Sequence, residues 1–292
     1  MQYGTLEMVS IAKTSEANGV PVLLWGVLWA ALFIAYLEFF RRLWSAWGSD
    51  PEFSFGVLIP ILVAYLIWTR KVQLTVVMGD AWHGALILIA VGCCLQVLAN
   101  MSGTLFFSGI ALTITLIGIA AFIWGRSCMR TVAGPLALLI LMVPLPSYMV
   151  GELSWHLQAR ASSVSAWVLG LLGVPVLQDG NLLRLSNYVL EVKQACSGSR
   201  SIFALLALAC WLGLSTERKW WMRILLVAAA PVLAVGANVV RIVGTGLIAS
   251  NWGELAANES LHAAWGIAVF LMAVMGLLGL QRLLRWATHA HA

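Results

Sequence analysis

Three residues in this 292-residue chain pair reactive side chains with positions beside long apolar runs: Cys196, Arg241 and His262. Cys196 stands in Gln194-Ala195-Cys196-Ser197-Gly198-Ser199-Arg200, just before an apolar run that begins near Ser201. A thiolate is the nucleophilic form of cysteine, and a helix N-terminus favours it because unpaired N–H groups and the helix dipole stabilise an anion there. Gly198 permits close backbone approach, and Ser197 or Ser199 can cap the following helix. Arg241 lies late in another apolar run and keeps its charge, so it suits stabilising a developing oxyanion rather than moving a proton. Asn238, three residues earlier on the same helical face, can orient it. His262 opens a further run after the polar loop Asn251 to Ser260 and can take or return a proton near neutral pH. A nucleophile, a fixed cation and a proton carrier together make an acyl-transfer set.

Each residue also has a plainer reading. A cysteine is often a small inert hydrophobe, an arginine can snorkel to anchor a helix end, and a histidine can sit at an interface. Arginine inside a membrane helix is costly enough to be functional by default. Arg200 either binds substrate or pairs with a loop carboxylate. Cys93, Cys94, Cys128 and Cys210 lie in or beside apolar runs and show neither metal spacing nor a disulfide framework. No metal and no cofactor are expected. His83, His289 and His291 read as solvated.

The elements that must position these residues are membrane helices. The chain is 61% hydrophobic and 10% charged, against about 25% charged for a soluble domain. Its 17 basic residues outnumber 12 acidic ones, but they stand mostly between apolar runs. That pattern sets topology and argues against a nucleic-acid surface. A helix needs roughly 20 apolar residues to cross hydrocarbon. The runs predict about eight spans near 21–40, 54–69, 84–100, 105–124, 132–149, 200–215, 222–248 and 262–284. Ten of the seventeen basic residues fall in the loops that become cytoplasmic if the N-terminus is inside. Both termini are then cytoplasmic, and Cys196, Arg241 and His262 all lie near the outer face. No removable signal peptide, linker or internal repeat is evident, so residues 1–292 are read as one polytopic domain.

The stretch 150–199 departs from this pattern. Residues 151–172 mix Glu152, His156, Gln158 and Arg160 with apolar residues, which predicts an amphipathic interfacial helix. Residues 174–185 predict two short strands joined at Asp179-Gly180, a strong hairpin signal because the turn needs positive φ. A third extended run, Tyr188 to Val192, leads to Cys196. The expected fold class is therefore an all-α integral membrane protein with about eight spans and a small extended hairpin element on the outer face.

These motifs resemble a known family. Ala195-Cys196-Ser197-Gly198 with Arg200-Ser201 resembles the cysteine motif of exosortases, and Asn238-Val239-Val240-Arg241-Ile242 resembles their arginine motif. Leu261-His262 with Gly266 is similar to their histidine motif, and the order and spacing agree. Val143-Pro144-Leu145-Pro146 and the Gly173-Val174-Pro175 to Gly180 segment resemble the stretch before the family cysteine. The resemblance covers most of residues 50–285. It implies an eight-span thiol protease or transpeptidase of the bacterial inner membrane, active at the periplasmic face. Its partners would be exported proteins with a C-terminal sorting signal of the PEP-CTERM type, together with an acceptor molecule and membrane lipids. That signal is a short motif, often Pro-Glu-Pro, then a membrane helix and a basic tail. The implied roles are Cys196 as nucleophile, Arg241 as transition-state stabiliser and His262 as acid/base. One position departs: where relatives usually show Ser-His-Gly, this chain reads Ser54-Phe55-Gly56.

Two rival classes would place the same residues differently. A transporter or channel subunit would use Arg241 to line a polar pathway, but most spans carry no interior charge. A non-enzymatic assembly factor for exopolysaccharide export would bind without chemistry.

Overall fold

A computed structural model describes residues 22–50, 52–77, 79, 81–186, 188–192, 198–217, 219–253 and 259–289. The chain divides into two compact units at Arg42/Leu43. In the first, helix α1 (Val22–Ala35) is followed by the start of α2 (Leu37–Ser49). Phe33 stacks on Phe40, and Arg42 pairs with Glu38 one turn away at 2.8 Å.

The second unit is built from helices and one small sheet. A 3-10 turn (Ser54–Val57) leads into α3 (Leu58–Thr69) and the short α4 (Lys71–Val77), which is bent by 58° from the turn and α3. Next come α5 (Ala85–Ser102) and α6 (Leu105–Trp124), then α7 (Arg126–Ala137) with a 3-10 extension (Leu138–Met142). After Pro144 and Pro146, which cannot donate backbone hydrogen bonds, α8 (Ser147–Leu171) leaves at 80° to the preceding segment. Strands β1 (Val176–Asp179), β2 (Leu182–Leu185) and β3 (Val189–Glu191) precede α9 (Ser199–Thr216), α10 (Trp220–Trp252) and α11 (Glu259–His289).

Among the described residues, five helices are long and apolar enough to cross a membrane, and up to seven spans result if each bent pair counts as one. The expected run at 21–40 yields a shorter apolar helix, Gly26–Ala35. The run at 132–149 does not continue as one straight helix, because prolines interrupt it. The chain is thus an all-α membrane protein with a minor extended element.

Local packing explains how close the helices come. At α5 and α6, a side chain at Gly92 would strike Thr115, and one at Gly118 would strike Ile89. Small residues at such contacts let membrane helices approach and gain dispersion energy. Helices α9, α10 and α11 share a core of Ile202, Leu205, Ala209 and Leu212 with Leu226, Ala230, Ala234, Val269, Ala273 and Leu277. Their three- and four-residue spacing is that of helical faces turned towards one another.

The sheet has strand order β1-β2-β3, with both pairs antiparallel. Gly180, at the β1–β2 turn, has φ +63°. Leu183 and Leu185 on β2 point inward and are buried, while Arg184 points outward and pairs with Asp179. Leu183 and Val192 join Ala161 and Leu169 of α8 and Ile242 and Val243 of α10 in a second core cluster. The sheet therefore rests against the turn of α10 that carries Arg241.

A polar cluster fastens the opposite end of α9. Glu217, 5% exposed, accepts from Arg285 Nε at 2.8 Å and Gln281 Nε2 at 3.0 Å. Gln281 also donates to the Thr216 hydroxyl, and Arg223 Nε donates to the Glu217 carbonyl at 2.8 Å. Arg70, at the α3–α4 bend, donates to the carbonyls of Thr131 and Leu214 at 2.7 and 2.6 Å. Cations suit helix C-termini because the last carbonyls lack partners. Glu217→Ala removes the acceptor of the buried Gln281 amide and the half-exposed Arg285 guanidinium, and charge-assisted hydrogen bonds are worth about 1.5–3 kcal/mol each. It is expected to lower unfolding stability in detergent by roughly 2–3 kcal/mol, with Glu217→Gln losing less because an acceptor remains.

Candidate active site

Helix α10 carries two of the expected site residues on one face. Asn238 is buried and Arg241, one turn later, is half-buried. The Arg241 carbonyl accepts from Trp265 Nε1 of α11 at 3.1 Å and from Thr245 Oγ1 at 2.9 Å. The Trp265 ring lies against Gly244, where a Cβ would come 2.8 Å from Cε2 and 2.9 Å from Nε1. The Arg241 guanidinium lies against Gly266, with Cζ 3.3 Å and Nε 3.4 Å from where a Cβ would be. Two glycines, one on each helix, thus accept a large side chain of the other. His262 lies in α11 one turn before Gly266, and its side chain is outside the described residues.

The third element is the head of α9. Gly198 forms its N-terminal boundary with φ +84°, a left-handed conformation costing other residues about 1–2 kcal/mol. A Cβ there would also sit 3.1 Å from Asn238 Cβ and Cγ and 3.3 Å from Nδ2. Glycine is required on both counts. The structure therefore joins Gly198 to Asn238 across α9 and α10, and Arg241 to Gly266 across α10 and α11. Cys196 and Ser197, two and one residues before Gly198, lie outside the described residues.

Arg200, exposed on the first turn of α9, donates from Nη2 to the Ser54 hydroxyl at 3.2 Å. The neighbouring Ser199 brings in a residue that no sequence motif marks. The buried Ser199 hydroxyl donates to Glu52 Oε1 at 2.9 Å, and Phe203 stacks on Phe53 at 5.3 Å between ring centroids. Glu52 lies between the apolar runs expected at 21–40 and 54–69, in the link from α2 to the 3-10 turn at Ser54. That position was the available signal, an acidic residue at the same end of its helix as the cysteine loop. Phe55 tilts against Phe53 with 6.4 Å between ring centroids.

A cation and a buried amide on one face of α10 thus stand beside the Gly266 turn of α11 and the N-terminus of α9, respectively. Such groups stabilise negative charge, and fixed donors do so without reorganising when the charge develops. Among the described residues no three His, Cys, Asp or Glu side chains form a metal-binding group. Gly198→Ala is expected to destabilise the folded protein by at least about 1–2 kcal/mol, the cost of left-handed backbone for a residue with a Cβ. Crowding against Asn238 adds to this, and thermal unfolding in detergent measures the sum.

The family model described as transmembrane exosortase matches residues 47–279. The match takes in the Glu52 segment, the head of α9 and the facing turns of α10 and α11. No curated protein matches the chain, and no solved structure does. With most of its length matched, and with apolar helices long enough to cross a membrane several times, the chain belongs to the transmembrane exosortase family.

Proposed function

We propose that this protein is a membrane-embedded cysteine peptidase or transpeptidase that cleaves C-terminal sorting signals of exported proteins. The observation that carries the reading is the meeting of Gly198 with Asn238, and of Arg241 with Gly266. These contacts bring the head of α9 to the Asn238 turn of α10, and the Arg241 turn of α10 to the Gly266 turn of α11. In this reading the Cys196 thiolate attacks the carbonyl of a substrate peptide bond just outside the membrane. The tetrahedral oxyanion is stabilised by Arg241, with Asn238 orienting it. His262 gives a proton to the leaving amine as the C–N bond breaks, and the substrate's apolar helix and basic tail depart. An amine, a hydroxyl or water then resolves the thioester.

The proposed topology is one polytopic domain with eight crossings. These are the five single-helix spans, the two bent pairs and the short apolar helix Gly26–Ala35. Both termini face the cytoplasm, and the sheet and the head of α9 face the periplasm of an inner membrane. The basic residues near Arg126, Arg130, Lys219 and Arg223 support this orientation. Single-cysteine labelling from each side is expected to place Gly180 and Lys219 on opposite faces, and finding both on one face refutes the topology.

Cys196→Ala is expected to abolish cleavage while leaving membrane insertion intact. The assay substrate is an exported protein from the same genome that ends in an apolar helix and basic tail. Mass spectrometry of the trapped reaction should find the substrate's new C-terminus on Cys196. Arg241→Lys separates an anchor from an oxyanion donor, since lysine snorkels equally well but lacks the planar fork of donors. Losing one such donor costs about 10²–10³ in rate, roughly 2.7–4 kcal/mol. Single-turnover cleavage by Arg241→Lys should fall at least about tenfold, with Arg241→Ala slower still. A wild-type rate in Arg241→Lys would leave it an anchor.

A further inference from the structure

The segment before α3 holds the cysteine-bearing end of α9 through contacts that no sequence motif announces. Asp50 Oδ1 accepts the Glu52 N–H at 2.9 Å, and Phe53 N–H bonds back to the Asp50 carbonyl at 3.2 Å. This tight turn projects Glu52 to one side. Its far end is fixed as well. Trp47 Nε1 donates to the Met142 carbonyl at 2.9 Å, and Gly56 packs beneath Trp47 with a would-be Cβ 2.7 Å from that carbonyl. Held at both ends, residues 52–54 reach the first two turns of α9 at three points. Glu52 bonds Ser199, Ser54 bonds Arg200, and Phe53 stacks on Phe203.

We propose that Glu52 is the positioning residue for the nucleophile of this enzyme, acting through Ser199. The proposal rests on the function given above. Ser199 is three residues from Cys196, and three extended residues span at most about 10–11 Å. Gly198 between them is pressed against Asn238 on the other side. The head of α9 is thus gripped between the Glu52 turn and α10, and Ser199 tethers the point where the chain leaves the cysteine motif. Glu52 does not touch substrate in this scheme. Its carboxylate fixes where the helix begins, and a misplacement of about 1 Å can cost on the order of 10²-fold in rate.

The test is single-turnover cleavage of the tailed substrate described above, normalised to folded protein, with substrate affinity measured separately. Glu52→Ala and Ser199→Ala should each lower the cleavage rate at least about tenfold and change affinity by less than about threefold. The double variant should be no slower than the slower single one, because both remove the same contact. Glu52→Gln keeps an acceptor for the Ser199 hydroxyl and should recover at least about a third of the rate, whereas Glu52→Asp, one methylene short, should not. Where an alanine variant fails to insert, the Gln and Asp pair makes the same comparison. A wild-type rate in Glu52→Ala, or equal losses in Gln and Asp, overturns the positioning role even if Cys196→Ala is inactive. Full activity in Cys196→Ala overturns the function and this role together.

Discussion

Helix α10 is the wall on which the second unit is built, and close backbone approach along it is the constraint the site depends on. Over Trp220–Trp252 it meets α9 and α11 through Ala230 and Ala234, α11 again at Gly244, and α8 at Gly246, where Leu169 fills the space a side chain would take. Lipid gives apolar side chains no reason to leave it for one another, so helix association relies on dispersion contact and hydrogen bonding. Small residues make that contact possible. Where they sit decides which turn of each neighbour faces Arg241.

The two ends of the α9–α10–α11 group are held by different chemistry. At one end a buried carboxylate, Glu217, gathers Gln281 and Arg285, and Arg223 caps its backbone carbonyl. Buried charges persist only when paired and hydrogen-bonded. At the other end the contacts are van der Waals fits of glycine to a polar side chain: Gly198 to Asn238, Gly266 to Arg241. That arrangement leaves the cation and amide close together while the helices remain locked elsewhere. Rigid support of this kind is what preorganised stabilisation of a developing charge requires.

The bent segments serve the same end. Pro144 and Pro146 break the chain between Met142 and Ser147, so α8 turns by 80° and can lie against α10 and the sheet. Met142 is left with a carbonyl that Trp47 and the Gly56 backbone approach, and this fixes the turn bearing Glu52. A break in one apolar run thus supports the docking of another segment onto α9.

The sequence by itself determined the class and the helical runs, because burial in lipid demands length and apolarity and both are local properties. The run expected at 105–124 is the helix Leu105–Trp124, and that at 84–100 is Ala85–Ser102. The cysteine, arginine and histidine motifs were also legible in order, as residue types at run ends, and they resemble the family that the chain joins. Bends were not legible, since a hydropathy window counts apolar residues without registering where prolines or Arg70 break the helix axis. Nor were the pairings that shape the site. Glu52 and Ser199 stand 147 residues apart, and Arg241 and Gly266 meet only when α10 and α11 cross in one register. Helical periodicity says which residues share a face, but not which face of which neighbour it meets. That choice belongs to tertiary packing, where one glycine more or less changes how near two helices can come.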